Sequence, residues 1–196
     1  MKKLILILFF IFSSINSIIA ENFNNFDVTE GDKNANIKIY IYSSLTCPHC
    51  ANFHTKIYPN LKKDFVDNGK VKIYFKNFPL DLAALNAAKI NACLKSDKKL
   101  AFLDTLYEKQ KIWTSGSTIE DINNNIKKLV DKMNINEFDF EKCLNNKEVE
   151  DWILEERIGA VQKYDIKSTP TIIINEKKFE KTLDYKNLKK AIEKLI

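Results

Sequence analysis

Four residues constrain this chain more than any others: Cys47-Pro48-His49-Cys50, set between an extended apolar segment and an amphipathic one. Upstream, Ile37-Lys38-Ile39-Tyr40-Ile41-Tyr42 is rich in β-branched and aromatic residues and reads as a strand. Downstream, Phe53, Ile57, Leu61 and Phe65 follow Cys50 at three- and four-residue steps, which predicts a helix running to Asp67 with a kink at Pro59. Asn68-Gly69 closes it, and Val71 to Phe75 reads as a second strand. The result is a strand–helix–strand unit of the α/β class, with two thiols at its first junction.

Proline suits the first helical position, where its missing N–H costs nothing, so Cys47 becomes the N-cap residue. Its sulfur then faces the free N–H groups of His49 and Cys50 and the positive end of the helix dipole, with the His49 side chain within reach. These effects favour the thiolate, while helical spacing turns Cys50 toward the core. The sequence therefore predicts an exposed nucleophile at Cys47 and a sheltered resolving thiol at Cys50. Stabilising the reduced form makes the disulfide form a stronger oxidant. Two other readings stay open. Cys47 and Cys50 could form a purely structural disulfide, although it would close a tiny loop and pin nothing distant. They could join His49 and His54 around zinc in a non-catalytic module, although one helical turn poorly aims four ligands at a tetrahedral point. The expectation is no metal and no cofactor beyond the redox-active Cys47–Cys50 pair.

From Asp81 to about Tyr164 apolar residues recur only at helical spacing, in Leu82–Leu94, Leu100–Trp113, Ile119–Met133 and Val149–Val161. Strand character returns at Thr169-Pro170-Thr171-Ile172-Ile173-Ile174, followed by a turn at 175–178, a short strand at Phe179 and an amphipathic helix from Tyr185 to Ile196. The expected organisation is an α/β domain over 36–80 and 165–196, split by an all-helical insertion over 81–164. An extension over 21–35 precedes it.

At the start of the chain, Lys2 and Lys3 lead into nine apolar residues, Leu4–Phe12, and then a polar stretch ending at Ala20. This reads as a signal peptide over 1–20, because nine residues are too few for a bilayer core of about 30 Å. It predicts export to an oxidising compartment, the periplasm. Composition limits the partners. The net charge of +5 falls to +3 when Lys2 and Lys3 leave, and Arg157 is the only arginine. Nucleic-acid readers favour Arg for its planar fork, so no nucleic-acid partner is expected.

Together, several stretches resemble the DsbA-like thiol:disulfide oxidoreductases of the thioredoxin superfamily, most of all the alpha-proteobacterial type of DsbA. They are Cys47-Pro48-His49-Cys50 after its strand, Tyr74-Phe75-Lys76-Asn77-Phe78-Pro79-Leu80-Asp81 before an Ala-rich helix carrying Cys93, and Thr169-Pro170-Thr171 before an apolar strand. The resemblance implies a thioredoxin fold with a helical insertion, a cis Thr169–Pro170 bond, and a monomer that donates disulfides to reduced exported proteins and is reoxidised by a membrane partner of DsbB type. It implies substrate docking at Thr169 and Pro170. It also supports a structural disulfide between Cys93 and Cys143, the two cysteines left over in one helical block, against the alternative of two buried free thiols. An isomerase or reductase of the same fold is the nearest competing activity. The chain departs from the family at Ser168, at Asn175-Glu176, and at Ile41, where thioredoxin-fold enzymes often bury a carboxylate six residues before the first active-site cysteine.

Overall fold

The computed structural model describes residues 26–135 and 138–196; the segment read as a signal peptide, 1–20, and the first residues of the extension lie outside them. Strand β2 (Ile37–Ser43) is the centre of a sheet ordered β1-β3-β2-β4-β5, with β1 Val28–Glu30, β3 Val71–Asn77, β4 Thr171–Ile174 and β5 Lys177–Lys178. It runs parallel to β3, with Ile39 opposite Ile73, and antiparallel to β4, with Ile41 opposite Ile172. Side chains alternate across a strand, so Ile37, Ile39, Ile41, Val71, Ile73 and Phe75 fill one face and pack into the main core. Tyr42, Phe78 and Ile173 form a second cluster with Ala160 and Ile166 on the other face. Burying each large apolar side chain stabilises the fold by about 1.5–3 kcal/mol.

The extension contributes more than a lead-in. Val28–Glu30 pairs antiparallel with β3, so part of the 21–35 segment completes the sheet, a correction to the sequence reading. A three-residue strand is too short to show an alternating pattern.

The helix after the thiols is built as α1 (Pro48–Asn52), a π turn (Phe53–Ile57), α2 (Tyr58–Leu61) and a second π turn (Lys62–Val66). Irregularity at Pro59 was expected; the structure resolves it into these two wide turns. A repeat of four drifts around an α-helix of 3.6 residues per turn, and the wider i→i+5 turns absorb the drift. That keeps Phe53, Leu61 and Phe65 buried together.

Between β3 and β4 lie α3 (Leu82–Cys93), α4 (Ser96–Glu108), α5 (Gln110–Trp113), α6 (Ile119–Lys132), α7 (Phe140–Leu144) and α8 (Lys147–Tyr164), and α9 (Tyr185–Glu193) follows β5. The short α7 carries too little periodicity to read in sequence. α6 opens with a capping box, Thr118 accepting from the Asp121 N–H while the Asp121 carboxylate accepts from the Thr118 N–H. α8 is fastened to the sheet through Glu156, which accepts from the Asn77 N–H at 2.7 Å and pairs with Lys76 at 2.8 Å. The bond between Cys93 and Cys143, S–S 1.98 Å, joins the end of α3 to α7.

Candidate active site

Cys47 caps α1 with Pro48 at its first turn, and its carbonyl accepts from the N–H groups of Cys50 and Ala51, each at 3.1 Å. Both Cys47 and Cys50 are free thiols. Cys50 is 1% exposed and Cys47 8%, so the nucleophile is recessed rather than openly exposed, which corrects the sequence expectation. The segment before β4 lies against the sulfur. In its thiol form Cys47 Sγ donates to the Thr169 carbonyl at 3.4 Å, and the Thr169–Pro170 peptide is cis.

The two thiols are driven apart. Burial pushes Cys47 up, but the Thr169 hydroxyl, the Cys50 N–H and side chain, and the His49 N–H favour its ionised form and together hold it below the ordinary thiol range. Burial pushes Cys50 up to about 12, against the opposing pull of Thr169 and the Ser44 backbone, and with repulsion from Cys47 added. Thr169 Oγ1 is closed off from solvent with no hydrogen bond completed, and it stands beside both sulfurs. The His49 ring is exposed, so its contribution comes from the backbone.

The loop carrying Cys47 is tied down on two further sides. Gln110, buried on α5, donates through Nε2 to the carbonyls of Leu45 at 2.7 Å and Cys47 at 3.1 Å. Thr46 Oγ1 donates to Asp81 Oδ2 at 2.7 Å, while Asp81 Oδ1 caps α3 by accepting from the Ala84 N–H at 2.8 Å. Sequence reasoning missed Gln110, because a lone glutamine in a short helix carries no signal of its partners. Asp81 lies inside one of the stretches that resemble the family, but nothing in that stretch gives it a role. The structure brings Cys47, Cys50 and Thr169-Pro170 together and leaves Cys93–Cys143 apart in the insertion.

His54 faces inward, against the rings of Tyr58, Phe75 and Tyr107, with Nε2 on Asp104 Oδ1 at 2.6 Å. Among the described residues no three His, Cys, Asp or Glu side chains gather closely enough to hold a metal.

A family model described as thioredoxin matches residues 24–194. The chain belongs to the thioredoxin family. Within it, this chain is a DsbA-like thiol:disulfide oxidoreductase. It is 31% identical to a probable disulfide bond formation protein D of Bacillus anthracis, over 84% of this chain and 76% of the relative. Among solved structures, Wolbachia pipientis alpha-DsbA1 superposes with a TM-score of 0.78 at 28% identity, covering 86% of this chain and 90% of that one. BdbD from Bacillus subtilis gives 0.70 at 27%, covering 86% and 91%. The thioredoxin fold with a helical insertion and the DsbA-like oxidoreductase activity, both expected from the resemblance, hold.

Proposed function

We propose that this thioredoxin-family enzyme works as an exported oxidase, passing a Cys47–Cys50 disulfide to reduced proteins that fold in the periplasm. The observation that carries the reading is the split between the two thiols. An enzyme whose Cys47 is stabilised as thiolate holds its reduced form in a low-energy state, so its disulfide readily takes electrons. In the forward reaction a substrate thiolate attacks Cys47 Sγ, Cys50 leaves, and a second substrate thiolate releases Cys47. Cys47 then departs as the more stable thiolate, which speeds the release. Thr169 and Pro170 form the docking edge: the Thr169 backbone beside the sulfur suits pairing with an extended peptide, and Pro170 has no N–H to compete. His49 and Pro48 set the helix start, and Cys93–Cys143 serves as a structural brace. The enzyme acts as a monomer, needs no cofactor besides its own disulfide, and is recharged by a membrane partner of DsbB type. No helix among the described residues is long and apolar enough to cross a membrane, in keeping with a partner that supplies the membrane step.

The deciding experiment equilibrates the enzyme with glutathione buffers and follows oxidation of a reduced two-cysteine peptide. The expected result is a potential well above that of thioredoxin, about −270 mV, with peptide oxidation lost in Cys47→Ser. A thioredoxin-like potential with efficient insulin reduction would assign the chain to the reductases. Amino-terminal sequencing of the secreted protein should begin near Glu21.

A further inference from the structure

Cys50 changes its protonation state in every turnover. When a substrate thiolate attacks Cys47, the Cys47–Cys50 bond breaks, a substrate–Cys47 bond forms, and Cys50 leaves with the electron pair and takes up one proton. In the reverse sense Cys50 gives up that proton, attacks Cys47 Sγ and expels the peptide thiolate. At 1% exposure Cys50 has little direct access to solvent, and the neighbouring β2 position that could have carried a buried carboxylate is Ile41, itself 2% exposed.

A small, partly enclosed cavity lies next to this region, about 20 Å³ in volume, with Ile41, Ser43, His54, Asn91 and Tyr107 among its lining residues. That is room for one water. Asn91 is 5% exposed, and its Oδ1 has no hydrogen-bond partner, the kind of buried acceptor that an internal water satisfies. Tyr107 sits on α4, which packs against α1, the helix carrying Cys50, and it lines the cavity beside Ser43; burial first, and then the nearby Cys50, push its phenol well above the ordinary range. The Tyr107 ring lies over that of His54 with centroids 4.5 Å apart, and His54 Nε2 contacts Asp104 Oδ1 at 2.6 Å. From His54 to Asp104 side-chain exposure rises from 5% to 45%, so the cluster runs from core to solvent.

We infer that Tyr107, a water held at Asn91, and the His54–Asp104 pair form the proton path between Cys50 and solvent. Each member can carry a proton onward, since phenol and water both donate and accept, and imidazole is the side chain that most often passes protons near neutrality. The other titratable or charged groups facing the cluster are Cys47, Tyr58, whose ring is 4.9 Å from that of His54, and Lys76, which lines the cavity and is paired with Asp27 and Glu156. The inference rests on the reading of Cys47 as attacking thiol and Cys50 as resolving thiol. His54, Asp104 and Tyr107 act through Cys50 and are positioning and proton-carrying residues.

The test mixes reduced enzyme with an oxidised peptide between pH 5 and 9, quenches with acid, and measures separately the formation of the Cys47–peptide mixed disulfide and its resolution by Cys50. Asp104→Asn and His54→Gln should leave formation within about twofold of wild type, slow resolution at pH 7 by about tenfold and move its pH midpoint upward; Asp104→Glu should restore both. Tyr107→Phe should act in the same direction. Wild-type resolution rates and midpoint in the two variants overturn the path. Should His54→Gln fail to fold, the half-exposed Asp104→Asn decides alone. If no mixed disulfide forms even in wild type, the assignment of Cys47 fails, and the path with it.

Discussion

Thr169 and Gln110 act on the same cysteine from distant points in the chain. The Thr169 hydroxyl favours the ionised sulfur, so Thr169→Val should raise the Cys47 pKa and make the enzyme less oxidising, as read by thiolate absorbance in a pH titration and by glutathione equilibration. An unchanged titration would remove Thr169 from the account. Gln110→Leu leaves the buried Leu45 carbonyl without its donor, while the Cys47 carbonyl keeps its helical bonds from the Cys50 and Ala51 N–H groups. An unpaired buried acceptor costs about 1–3 kcal/mol, so a loss in that range is expected in urea unfolding, together with slower turnover from a loosened active-site loop. Of these residues, Cys47, Pro48 and Cys50 were legible because motif and helix start coincide in a few consecutive positions. Gln110 was not, because its partners are 63 and 65 residues away. The His54–Asp104 contact was equally unreadable, since nothing local marks which carboxylate a histidine will meet.

At the scale of elements, the cross-link between α3 and α7 closes a loop with a sequence separation of 50. Constraining the unfolded chain over that span corresponds to about 4 kcal/mol in the chain-entropy view. Replacing both Cys93 and Cys143 by Ala should therefore lower the melting temperature by several degrees while leaving the Cys47 titration in place, because the bond lies away from the thiols. A melt that matches wild type would show that the insertion's packing suffices without it. The long helices and the central strands were readable because each repeats its apolar period several times. β1 and α7 were not: three and five residues give too few repeats, and their places are set by the elements they pack against. The two π turns were half visible, since the four-residue spacing from Phe53 to Phe65 disagrees with an α-helix without saying how the chain resolves it.

For the whole molecule, the opposed shifts of the two thiols make stability depend on redox state and pH together. With Cys47 lowered, the reduced unfolded chain holds more protons than the reduced fold between the folded and unfolded Cys47 values, so the reduced form gains stability as pH rises through that window and loses it as pH falls. Cys50, raised to about 12, works the other way: above the ordinary thiol range the unfolded chain ionises it and the fold does not, so stability declines again. The oxidised form has neither thiol to titrate. Melting curves of both forms from pH 4 to 10 should thus show the reduced form's advantage climbing with pH, reaching a maximum near the ordinary thiol range and then shrinking; a gap that stays flat contradicts the assignment. The sheet register carries a different consequence. Cys47 meets Thr169 across 122 residues, and β2 is zipped to β4 only after the entire insertion has been made. Such high contact order slows folding. During synthesis, three of the four cysteines emerge before Gln110 and Thr169, the residues that hold and tune the reactive one. The chain that handles other proteins' thiols must therefore pass through a stage in which its own Cys47 and Cys93 are unguarded, and errors in its own pairing belong to that interval.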